Sequence, residues 1–202
     1  MKAKILIILI LPVVLASCTE EIRRCDLTKA QKQLIPYEKG LVISFIDSVG
    51  LTVDLTVTES QVSWTPKERY GGFIDVYVTK EVKLVILKSE SNDLEVRLTI
   101  CNSGGSECSN YSSLSIDINK GWEFSLKSNT KGGIQPDRSV SFYESIKIND
   151  KVYYDVVEQK CDYNFFDNAG GQYQIPMQLF YNKTYGILQF KKEGENILTL
   201  KN

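Results

Sequence analysis

Val53, Leu55 and Val57 alternate with Asp54, Thr56 and Thr58, and this two-residue period recurs along most of the chain. Successive side chains of an extended strand point to opposite faces, so the alternation describes sheets with one buried and one wetted face. It recurs, more or less strictly, in "VKLVILKS" (82–89), "LEVRLTIC" (94–101), "SLSIDI" (113–118), "WEFSLK" (122–127) and "VSFYESIKI" (140–148). "VYYDVVEQ" (152–159), "MQLFYN" (177–182), "GILQFK" (186–191) and "NILTLK" (196–201) continue it. With "LVISFI" (41–46) and "GFIDVYVT" (72–79), the pattern predicts about a dozen short strands separated by turn-forming residues. The expected fold is therefore all-β: a single antiparallel domain over 41–202, an open or strongly curved barrel in preference to a β-sandwich. "DSVG" (47–50) and Asn149-Asp150 read as tight turns, "SNTKGGIQPDRS" (128–139) as a long polar loop, and "CDYNFFDNAGGQYQIP" (161–176) as a turn-rich connection. A helix is expected only in "DLTKAQKQLI", with Asp26 as N-cap and Pro36 ending it.

The first residues follow a different rule. Lys2 and Lys4 precede an apolar run from Ile5 to Leu15, and Ala16 and Ser17 are small. A basic start, a short apolar core and small residues at a cleavage point are the layout of a secretory signal, and the run is too short to span a bilayer as a helix. Leu15-Ala16-Ser17-Cys18 resembles the bacterial lipobox. The resemblance implies that residues 1–17 are a signal peptide recognised through Leu15, Ala16 and Ser17. Cys18 would then become the first residue and carry a diacylglyceryl group with fatty acyl chains such as palmitate. Two or more acyl chains suffice for stable anchoring. The implied partner is a membrane, through diacylglyceryl-Cys18, and the implied address is the outer membrane, on its periplasmic face or at the cell surface. Residues 18–40 then read as a lipidated tether. Glu20 and Glu21, just behind Cys18, resemble the acidic surface-export signal of Bacteroidota lipoproteins.

The sequence contains no histidine. That excludes Ser-His-Asp and Cys-His nucleophile systems, histidine-ligated zinc and histidine-based pH switching. With 24 basic and 25 acidic side chains the charge is balanced, so a nucleic-acid partner is not expected. No cofactor is indicated and no metal site is assigned. "DNAGGQ" (167–172) offers oxygens without the carboxylate count of a calcium loop. Carboxylate pairs such as Asp75/Glu81 or Glu123/Glu144 keep a hydrolase open as a third reading, with no separation to test. The many aromatics, Trp64, Trp122 and a cluster from Tyr153 to Tyr185 among them, suit a β core more than a ligand cage.

Five cysteines are present: Cys18, Cys25, Cys101, Cys108 and Cys161. Lipidation of Cys18 leaves an even four, which an oxidising compartment would pair. Four cysteines allow three pairings. "CNSGGSEC" reads as a hairpin loop, which favours Cys101–Cys108 and leaves Cys25–Cys161 to tie the tether to the body.

Pro36, Tyr37, Gly40 and Phe45 in "LIPYEKGLVISF", together with "YNKTYGILQF" (181–190), resemble segments of small all-β lipoproteins of Bacteroidota, of the flavobacterial type. The resemblance covers both ends of the chain beyond the signal and supplies no catalytic residue. Asp47-Ser48-Val49 resembles the O-glycosylation motif of exported Bacteroidota proteins, with Ser48 as acceptor. The functional expectation is a non-enzymatic binding or accessory module of the cell envelope, its ligand a glycan, a lipid or a protein. The alternative is a carrier holding a lipid or other apolar molecule in an open barrel.

Overall fold

The computed structural model describes residues 21–71, 76–91, 93–105, 107–119, 121–166, 172–193 and 195–201. Leu15, Ala16, Ser17 and Cys18, expected as a lipobox, and also Glu20, Asp75 and Asp167–Gly171, lie outside them.

The chain is nearly all β, and its strands make one strongly curled antiparallel sheet, a half-barrel. In chain order the strands are β1 (Glu21–Cys25), β2 (Val42–Asp47), β3 (Thr52–Trp64), β4 (Glu68–Tyr70), β5 (Val76–Ser89), β6 (Glu95–Asn102) and β7 (Tyr111–Ile118). They continue as β8 (Trp122–Asn129), β9 (Val140–Ile148), β10 (Lys151–Phe166), β11 (Gln172–Asn182), β12 (Gly186–Lys192) and β13 (Glu195–Leu200). The sheet order is β8-β7-β6-β5-β3-β2-β13-β12-β11-β10-β9. β1, parallel to its neighbour, and β4 both pair with the first half of β5.

The alternation read from sequence is the inward/outward alternation of this sheet. Val85, Leu98, Ile116 and Phe124 stand opposite one another on four consecutive strands, and all four are buried. One continuous core links this row to Phe45, Leu55, Leu179 and Phe190. Each such side chain contributes roughly 1.5–3 kcal/mol by leaving water. The concave side is thus filled with side chains.

Several elements are longer than their sequence signals. Residues 161–166 and 172–176, expected as a turn-rich connection, extend β10 and β11, which pair from Val156↔Asn182 to Phe166↔Gln172. Cross-strand pairing holds them extended despite the polar residues, the usual way tertiary context overrides local preference.

Residues 21–40 are corrected from tether to part of the body. β1 is hydrogen-bonded along β5, and Leu27, Leu34, Ile35 and Tyr37 belong to the core. The helix, α1, is one turn, Lys29–Lys32. Its N-cap is Thr28 rather than Asp26, because Thr28 and Gln31 form a capping box, each side chain bonded to the other's backbone N–H. These four apolar side chains pack into the same core as the inward-facing strand residues, so the segment acts as a plug. Leu27 N–H and Lys32 Nζ both bind the buried Glu81 carboxylate, and Lys83 Nζ donates to the carbonyls of Lys32 and Ile35 at 2.9 and 2.7 Å. Burial holds the Lys83 ammonium below the usual lysine range, with Glu38 opposing.

The two segments singled out by resemblance meet at this plug. The Tyr37 hydroxyl accepts a hydrogen bond from Ile187 N–H at 2.7 Å, and the Tyr181 hydroxyl donates to the Leu34 carbonyl. Gly186 has φ +77°, and a Cβ there would fall 2.0 Å from the Tyr37 oxygen. Only glycine fits both the backbone and the approach.

Candidate binding site

Cysteine pairing differs from the sequence expectation. The disulfide joins Cys25 to Cys108, and among the described residues Cys101 is a free, half-buried thiol. The expected Cys101–Cys108 bridge fails because Cys101 lies inside the β6–β7 ladder, opposite Ser113, whereas Cys108 lies on the loop beyond the ladder's end. Asn102 holds that loop: its carboxamide oxygen accepts from Gly104 and Ser109 N–H, and its amide donates to the Ser109 carbonyl. Cys108 is thereby presented to β1 instead. With Cys25 committed to Cys108, the expected Cys25–Cys161 bridge is also overturned; Cys161 sits half-buried in β10, opposite Met177. Burial raises the Cys101 thiol above its ordinary range. A bridge between positions 83 residues apart thus fixes the 103–110 loop to the first strand.

That loop forms one wall of a hollow of about 520 Å³ at the seam of the half-barrel. Curling brings the free edge of β8 toward β10, and the Gln159 amide bridges them by donating to the Ser125 carbonyl at 2.8 Å. Residues 130–139 cover the rest of that edge: Ile134 bridges Ser128, and Gln135 N–H donates to the Lys127 carbonyl. Between these parts, Ser103 and Ser109 face the hollow from the loop, and Ser113, Ser125 and Lys127 from the sheet. Gln135, Asp137 and Ser139 close the third side, and Gln159 lies at the back. The Ser113 and Ser125 hydroxyls are 2.9 Å apart. Lys127 Nζ stands 4.4 Å from the centre of the Tyr111 ring at the rim.

The lining is mostly hydroxyls and amides, with one cation, one carboxylate and the apolar Pro136 and Val140. Gln159 is 7% exposed and its Oε1 has no hydrogen-bond partner among the described residues. A buried acceptor left unpaired costs about 1–3 kcal/mol. Its other end is fixed as a donor by the Ser125 carbonyl, so the amide cannot simply turn round. This site was missed in the sequence. "SNTKGGIQPDRS" marked one wall as a polar loop, but Ser113, Ser125 and Gln159 looked like ordinary wetted strand positions.

A second hollow, about 400 Å³, opens against β9 and β10 and is more apolar, with Phe142, Tyr143, Val156 and Val157 among its lining. Beside it Tyr143 donates to Glu158 at 2.6 Å, a bond that raises the tyrosine hydroxyl above its usual range. Of the carboxylates weighed for hydrolysis, Glu81 is held by Lys32 and Leu27, while Glu123 lies on β8 and Glu144 on β9. Among the described residues no three metal-ligating side chains converge. Ser48 is exposed in the β2–β3 turn, where the Asp47 carboxylate accepts from Val49 and Leu51 N–H. Glu21 opens β1, opposite Val76.

No family model matches this chain, and neither a curated protein nor a solved structure matches it.

Proposed function

We propose that this protein is a lipid-anchored, non-enzymatic binding module of the cell envelope, tethered to the outer membrane by Cys18, and that it takes a neutral, hydroxyl-rich ligand of glycan type in the seam hollow. The observation that carries the reading is the pairing of a hydroxyl- and amide-lined hollow with the buried, unpartnered Oε1 of Gln159. Sugars present many donors and acceptors and no net charge, which suits serine hydroxyls, two carboxamides and a Lys127/Asp137 balance. The volume lies within the roughly 300–1,000 Å³ of small-molecule sites. The address rests on the signal-like N-terminus and the lipobox.

Two experiments test the two halves. Cys18→Ser should abolish lipid labelling and release the protein from membranes; retention would sink the anchor. For the ligand, the protein would be extracted in a phosphocholine detergent, which carries no sugar, and titrated with maltose, cellobiose, lactose and chitobiose by saturation-transfer NMR. Binding by at least one, weakened tenfold or more in Gln159→Leu and in Ser113→Val, is the expected result. Failure of all four to bind would overturn the glycan reading.

A second reading, carriage of a lipid or other apolar molecule, is favoured by the apolar hollow beside Phe142 and Tyr143. It would have to use that surface hollow, because core side chains fill the concave side. Displacement of a bound fluorescent fatty acid, sensitive to Phe142→Ser, would support it over the sugar.

A further inference from the structure

The end of the sheet where β1 begins carries a face that the seam hollow does not use. Its composition follows from strand register. Ile22, Tyr77 and Arg69 stand side by side across β1, β5 and β4, and Arg24 is paired with Thr79. Trp64 is paired with Glu81 and Val62 with Lys83. Tyr77, Thr79, Glu81 and Lys83 alternate along β5, so all these side chains share one face. Ile22, Val62 and Trp64 are 47%, 50% and 42% exposed. Arg24 lies 5.7 Å from the Trp64 ring centre, and Lys67 lies 5.9 Å from that of Tyr77. The acid in this set, Glu81, is buried against Lys32 and the Leu27 amide, and Glu68 projects to the other face with Lys80. Among the described residues the exposed part is therefore aliphatic, aromatic and cationic.

Chain length places this face. Glu21, the first residue of β1, is three residues after Cys18, and three extended residues span roughly 10 Å. An acyl chain on Cys18 cannot hold the body farther than that from the headgroups. Tryptophan and tyrosine favour the membrane–water interface, aliphatic side chains add buried area there, and arginine and lysine are drawn to anionic headgroups.

We infer that this face, centred on Trp64 with Ile22, Arg24, Val62, Lys67 and Arg69, docks on an anionic bilayer surface and seats the body against the membrane. The inference rests on the lipid-anchor reading for its geometry, but not for its chemistry. A docked face fixes which way the seam hollow points, which a lone flexible anchor would not.

The test uses the protein purified from membranes, carrying Trp122→Phe so that Trp64 is the single tryptophan. It would be reconstituted into vesicles of phosphatidylcholine, with or without 30% phosphatidylglycerol, part of the lipid being brominated. Brominated chains should quench Trp64, more strongly with phosphatidylglycerol. Arg24→Glu/Lys67→Glu should remove the quenching while leaving the protein on the vesicles. Unquenched Trp64 in anchored protein would overturn the inference. A Cys18→Ser chain separates this outcome from failure of the anchor. It should still prefer the phosphatidylglycerol vesicles weakly, and lose at least fivefold in that binding with the double charge reversal, since each cation near an anionic surface contributes about fivefold. Equal binding by the reversed variant would also overturn it, whatever the fate of Cys18.

Discussion

The plug end and the seam each keep a buried amide atom without a hydrogen-bond partner among the described residues, Gln31 Nε2 at the plug and Gln159 Oε1 at the seam, but they differ in what surrounds it. At the plug, two buried tyrosine hydroxyls each reach a backbone partner, Tyr37 accepting from Ile187 and Tyr181 donating to Leu34. At the seam, the buried Gln159 leaves its Oε1 without one. Both regions close a gap left by an incompletely rolled sheet, the plug at the mouth and the seam along the edge. Each orphan costs as much as a typical hydrogen bond contributes or more, and both regions carry one. The seam differs in that its orphan belongs to a residue lining a hollow, the kind of place where stability is commonly given up for function. The Cys25–Cys108 bridge links the two, since β1 leads into the plug and Cys108 lies on the seam's loop wall.

The comparison predicts a hierarchy of effects. Gly186→Ala should be most damaging, about 2–5 kcal/mol by urea unfolding, from the left-handed backbone and the clash with Tyr37 combined. A loss below 1 kcal/mol would mean that the plug is not tightly fitted. Cys25→Ser should cost about 2–4 kcal/mol. A non-reducing digest of the native protein should yield a linked Cys25–Cys108 peptide, and recovery of a Cys101–Cys108 peptide would contradict the arrangement.

Alkali should attack the plug first. Burial raises both hydroxyls well above the ordinary tyrosine range, with the Ile187 bond partly opposing it at Tyr37 and the neighbouring Tyr37 adding to it at Tyr181. The folded state therefore keeps protons that unfolded tyrosines release near pH 10. The stability is intact below that pH and lost above it, by about 1.4 kcal/mol per pH unit for each tyrosine. Absorbance at 295 nm should show these two ionising only as the protein unfolds. Tyr37→Phe should lower stability at neutral pH by about 1–3 kcal/mol, leaving Ile187 N–H unpaired, and should flatten the alkaline slope. Smallest of all, Gln159→Leu should change stability by less than about 1 kcal/mol, because it removes an orphan along with a bond and the carbonyl it frees belongs to the exposed Ser125, within reach of water. A loss as large as that of Tyr37→Phe would remove the contrast between the two regions.

Strand identity and facing were legible in the sequence because both depend on a period of two residues. Val53, Leu55 and Val57 face inward as their spacing predicts, and the curled single sheet follows from many such strands with few helical signals. Leu27, Leu34 and Ile35 are apolar in a mainly polar segment, and that was the available hint that residues 21–40 join the core.

What the sequence could not determine was which distant strand, loop or edge each group would meet. Two cysteines seven residues apart around a glycine pair suggested a local bridge, but the ladder register at Ser113 and the Asn102 bonds turn Cys108 toward β1. Gln159 is a strand residue like its neighbours until β8 arrives opposite it. The local period comes from backbone geometry, which every residue carries with it. Disulfide partner, plug and seam come from how far the whole sheet curls, a sum over all its strands that no single stretch contains.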